Sequence, residues 1–123
     1  MDTAVIIVGH GSRSKEANAT FLSIINKLDD KNTYGVFMEF GSPSIEDIFD
    51  KLYSEGIRNF KVVPLFLYGG IHITEDIPHK IELIKQKMPQ ISVAFGKPLG
   101  DDDHIVQLLR KRISETILQL GGK

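Results

Sequence analysis

His10 and His72 are the side chains of this sequence best suited to chemistry, because each closes an apolar, strand-like run at a glycine step. His10 follows the run 4–8 and Gly9, and it leads into Gly11, Ser12 and Arg13. His72 follows residues 62–68, an apolar run interrupted only by Pro64, and then Gly69 and Gly70. Thr74, Glu75, Asp76, Ile77 and Pro78 carry the signals of a helix start. Each imidazole is therefore expected in a loop leaving the carboxyl end of a strand. In open parallel α/β sheets ligands bind outside those ends, where strand order reverses. If the two strands are neighbours, both histidines face one crevice.

A neutral imidazole ligates divalent first-row metals and accepts a proton near neutral pH. The sequence has no cysteine, so two histidines suit nickel, cobalt or iron(II) as well as zinc. Two ligands make an open site, unlike a structural zinc site with its four. Either histidine alone could simply cap a helix or bond main chain; the pair in matching settings favours a functional site. Glu39, near the end of another apolar run, is the carboxylate best placed to join them, although strand-end acids also serve as caps or ion-pair partners. The amides of Gly9, Gly11 and Ser12 open onto a helix start and could hold an anion. GHGS nonetheless lacks the third glycine of a dinucleotide fingerprint and the ending of a P-loop. His79 and His104 are expected on helix surfaces. Glu75 and Asp76 serve a helix macrodipole, and Asp101, Asp102 and Asp103 cap the last helix.

The elements that position these residues alternate. Strands are expected at residues 3–8, 34–40, 60–67 and 91–95. Between and after them lie helices capped near Ser14 and running to about residue 30, from Ile45 to a stop at Gly56, from 75 to 88, and from the DDD tract to about residue 120. The first helix is expected to bury Ala17, Phe21, Ile24, Ile25 and Leu28 and to leave Lys15, Glu16, Asn18 and Lys27 outside; the last is expected to bury Ile105, Leu108, Leu109, Ile113, Ile117 and Leu120. Four β–α alternations with short connections imply one three-layer α/β domain over residues 1–123, with a four-stranded parallel sheet in the order 2-1-3-4 and helices on both faces. The 123 residues suffice for one core. With 15 basic and 16 acidic residues and a net charge of -1, no nucleic-acid partner is expected. No apolar run reaches the length that spans a bilayer, so no membrane partner is expected and a soluble cytoplasmic protein is the default.

Four segments together carry a family resemblance. VGHGSR at residues 8–13, MEFGSPSIED at 38–47, VVPLFLYGGIHITEDIP at 62–78 and KPLGDDD at 97–103 resemble the short CbiX-type sirohydrochlorin chelatases, which are class II tetrapyrrole chelatases. The resemblance spans nearly the whole chain. It implies a chelatase-like fold and ATP-independent insertion of cobalt or nickel into sirohydrochlorin, with no cofactor beyond the substrate metal ion. By matching motifs it implies that His10 and His72 bind the metal and accept protons, with Glu39 as the accompanying acid. It also implies a homodimer, because longer members hold two such domains around one cleft. A histidine-rich insertion found in some short relatives has no room between Lys87 and Ser92. The eight carboxylates of the substrate are assigned to Gly11, Ser12 and Arg13, and Gly69 and Gly70 let a flat ring approach the backbone. Two alternatives stand beside this: a sirohydrochlorin ferrochelatase with the same machinery, and a non-catalytic tetrapyrrole or metal carrier. A receiver or nucleotide-binding domain would give His72 no task.

Overall fold

Alternation along the first strand decides the layering. Ala4, Ile6 and Val8 are buried, whereas Val5 and Ile7 between them are only half-buried. A computed structural model describes residues 2–71 and 75–118. In chain order its elements are β1 (Thr3–Gly9), α1 (Lys15–Lys27), β2 (Thr33–Phe37), α2 (Ile45–Ser54), β3 (Asn59–Pro64), α3 (Ile77–Lys87), β4 (Ser92–Phe95) and α4 (Asp103–Glu115). The four strands form one parallel sheet in the expected order, β2-β1-β3-β4. β1 is central, with Ile6 opposite Tyr34 on one side and Val62 on the other.

The core lies on one face of this sheet. Ile6, Val8, Val36, Phe60 and Val62 meet Ile45, Phe49 and Leu52 of α2 and Ile77 and Ile81 of α3. Phe49 and Phe60 stack with ring centroids 4.3 Å apart. Ser44 caps α2 by accepting the Asp47 N–H, and Lys80 of α3 reaches Glu46 of α2 at 3.2 Å. α1 lies on the opposite face, where Leu99 of the loop after β4 lines the same apolar cleft as Ile7 and Val63. Phe21 packs there against Gly9, Gly35 and Phe37, at positions where a Cβ on either glycine would collide with its ring.

Several expected boundaries and burials differ. β2 stops at Phe37 instead of residue 40, because Phe40 takes a left-handed φ of 56°. β3 stops at Pro64 instead of residue 67, although Leu65 N–H still donates to Val8 O at 2.8 Å. In α1 only Phe21 is buried, while Ile24 and Leu28 are exposed. The apolar stripe expected to bury α4 does not: the helix has no buried residue, and Ile113 is 65% exposed. α4 ends at Glu115, and Leu120 lies outside the described residues.

Phe49→Ala removes a fully buried ring from the α2–sheet contact. It is expected to lower the unfolding free energy by about 3–5 kcal/mol, measured by urea denaturation.

Candidate functional site

β1 delivers His10 to the carboxyl rim, since the residue after Gly9 is the first beyond the strand. The main chain keeps pairing past the strand ends. Met38 N–H donates to Gly9 O at 2.9 Å, and Glu39 N–H donates to His10 O at 3.2 Å. This places Glu39 beside the imidazole, with Nε2 of His10 3.6 Å from Oε2 of Glu39 and each side chain 48% exposed. The other ring nitrogen, Nδ1, lies 3.1 Å from the Gly11 carbonyl. A carbonyl oxygen only accepts, so Nδ1 donates in this bond, and in the neutral ring Nε2 is the nitrogen with a lone pair. Nε2 and the Glu39 carboxylate, 3.6 Å apart, stand beyond ordinary hydrogen-bond distance.

Gly11 makes this approach possible. Its φ is 91°, and a Cβ there would run into the Glu39 carbonyl. The imidazole also meets Phe66 edge-on, with centroids 6.2 Å apart. Beyond Phe66 opens a crevice of about 320 Å³, lined by His10 and by residues 65–71. Its lip is apolar and wet, with Tyr68 77% and Ile71 64% exposed. Among the described residues, nothing beyond the chain neighbours lies within 4 Å of a Cβ built on Gly69 or Gly70.

Arg13 lies over the Phe40 ring, 4.8 Å from its centroid, beside the same rim. Ser12 is already engaged: its N–H donates to Asn18 Oδ1, and its hydroxyl oxygen accepts from Ser14 N–H. Its amide is thereby taken out of any anion-binding nest, and the hydroxyl hydrogen is what it has left to offer. His72, the second expected ligand, lies outside the described residues. Among the described residues no three His, Cys, Asp or Glu side chains come together as a metal cage.

The DDD tract caps α4, as expected. Asp102 accepts the His104 N–H at 2.8 Å, and the His104 ring lies 2.9 Å from the same oxygen. The His104 main-chain N–H and then its ring hold the Asp102 carboxyl below the usual carboxylate range. His79 is on the surface of α3. Asn18, expected to face solvent, is instead half-buried between two loops of the rim. The one hint in the sequence is its place in the first turn of α1, four residues after the Ser14 cap.

Known proteins resemble this chain along most of its length. The CbiX family model matches residues 4–116. A sirohydrochlorin cobaltochelatase of Sulfurisphaera tokodaii is 34% identical over 116 residues, covering 92% of each chain. A sirohydrochlorin ferrochelatase of Priestia megaterium is 37% identical over 117 residues, which are 92% of this chain and 44% of that one. The crystal structure of the sirohydrochlorin chelatase SirB from Bacillus subtilis subspecies spizizenii in complex with cobalt superposes with a TM-score of 0.85 at 33% identity, covering 94% of this chain and 51% of SirB. The chain thus spans about half the length of two of these relatives and nearly all of the third.

Gly11→Ala places a methyl group against Glu39 in a left-handed backbone. It is expected to cost about 1–3 kcal/mol of stability in urea denaturation, through separation of the two loops.

Proposed function

Because the chain belongs to the CbiX family, we propose that it inserts a divalent metal ion, cobalt or nickel, into sirohydrochlorin without ATP. The observation that carries this reading is the half-exposed His10–Glu39 pair at the mouth of an apolar crevice. Metallation exchanges one dication for two pyrrole protons. The ion must be held loosely enough to leave, and bases must stand where the protons depart.

In the neutral ring His10 Nε2 supplies a lone pair, and Glu39 supplies a negative charge beside it. A single imidazole and a half-exposed carboxylate bind a metal weakly, which suits transfer to four ring nitrogens. His72, at the matching end of the third apolar run, is the proposed second ligand and base. The side chains of Phe66 and Tyr68 offer an apolar platform for one face of the macrocycle, and Gly69 and Gly70, which have no side chain, let it approach the main chain. Arg13 and the Ser12 hydroxyl are the rim groups proposed to meet carboxylates, with Gly11 letting the two loops close. No cofactor beyond the substrate metal ion is invoked, and the proposed setting is the cytoplasm. Among the described residues no helix is long and apolar enough to cross a membrane.

A homodimer completes the proposal. α4 buries none of its residues, and the sheet face beside α1 holds an apolar cleft of about 330 Å³ lined by Ile7, Ile25, Leu28, Val63 and Leu99 among others. Among the described residues, one chain therefore leaves uncovered both the apolar stripe of α4 and an apolar cleft beside α1. Two copies also match the length of one SirB chain. Ferrochelation is the second reading, favoured by the Priestia relative's name. Nickel binds a given site more tightly than cobalt or iron, so ion choice reflects supply and geometry.

The test is optical: purified protein, sirohydrochlorin and Co²⁺, Ni²⁺ or Fe²⁺ are mixed and the spectral change is followed against a no-enzyme control. Wild type is expected to accelerate metallation with Co²⁺ or Ni²⁺. His10→Ala, His72→Ala and Glu39→Gln are each expected to lower the rate by about 10²-fold or more. Wild-type rates in both histidine variants would reject the assignment, and ring binding with no acceleration would identify a carrier. Analytical ultracentrifugation is expected to give twice the mass of one chain for wild type and a monomer for Leu109→Glu/Ile113→Glu. A monomeric wild type would contradict the dimer.

A further inference from the structure

We propose that Asn18 is a positioning residue that holds His10 and Glu39 at their working separation. The main-chain pairing that continues β1 and β2 ends at the bond from Glu39 N–H to His10 O. The next residue, Phe40, turns away with a φ of 56°, so no ladder secures the two loops beyond this point. Asn18 spans the gap from the first turn of α1. Its Oδ1 accepts the Ser12 N–H at 2.9 Å, and its Nδ2 donates to Ser12 O at 2.8 Å and to Phe40 O at 2.8 Å.

One planar amide thus has a foot in each loop, two residues past the imidazole and one past the carboxylate. The pattern needs one acceptor and two donors on a short stem, which is the inventory of asparagine. Aspartate keeps the shape but aims acceptors at two carbonyls, alanine leaves three main-chain groups without this partner, and glutamine is a methylene too long. Asn18 itself does not line the crevice. It acts through its neighbours, and the proposal rests on the reading of His10 and Glu39 as the metal-exchange pair.

The experiment measures steady-state metallation of sirohydrochlorin by Asn18→Asp and Asn18→Ala, with Co²⁺ as the ion, after circular dichroism has confirmed folding. A misplaced pair is expected to lower kcat on the order of tenfold or more while KM for sirohydrochlorin changes by less than about threefold. In a Glu39→Gln background, Asn18→Ala is expected to add less than about threefold, because the acid it positions is already gone. The isosteric Asn18→Asp keeps the test decisive if the alanine variant does not fold. A wild-type kcat in Asn18→Asp, a loss confined to KM, or losses that multiply in the Glu39→Gln background would each overturn the proposal. The two readings fail separately: His10→Ala and Glu39→Gln at wild-type rates would overturn the metal-exchange pair, whereas loss in those two and none in Asn18→Asp overturns the brace alone.

Discussion

Two main-chain hydrogen bonds beyond the last paired residues of β1 and β2 set the geometry on which the site depends. Met38 N–H to Gly9 O and Glu39 N–H to His10 O prolong the parallel pairing into the loops and bring an imidazole and a carboxylate to 3.6 Å. Neither side chain needs burial or a salt-bridge network to be there. Their exposure keeps the interaction between them weak in water. Gly11 permits the close approach of the chains, and Asn18 takes over where the ladder stops.

The sheet order extends this local constraint to the whole rim. With β1 between β2 and β3, the His10 loop has the Glu39 loop on one side and the β3 exit on the other. The polar partner and the apolar crevice therefore flank the same ring. The core that holds the strands is on the α2 and α3 face, so the rim can carry a left-handed turn and exposed aromatic residues without weakening it. The other face is thinly covered, which is where a second copy is proposed to sit.

Much of this was legible in the residues. The four alternations and the glycine after each of the first and third apolar runs specify strand, loop and helix and the placement of His10, whereas the sheet order, β2-β1-β3-β4, rests on likeness to a flavodoxin-like start. The reading of the last aspartates as a cap also matches the observed bond to His104. Apolar periodicity was a poorer guide to burial. It reports that a helix has a face for something, and for α4 that surface is not found within the described part of this chain. Asn18 escaped for a related reason: a helical pattern ranks a polar residue as outward, but the surroundings of a first turn are loops whose main-chain groups need partners. The separation of His10 and Glu39 depends on where a ladder ends, and no local pattern encodes that.

The central claim is that His10 and Glu39 act on the metal as one unit. A double-mutant cycle on kcat/KM for metallation of sirohydrochlorin, using His10→Ala, Glu39→Gln and the double variant, tests it most directly. If the pair works together, the double variant loses little more than the worse single variant, as groups acting as a unit do. Losses that multiply, so that each residue contributes the same factor whether or not the other is present, would contradict it.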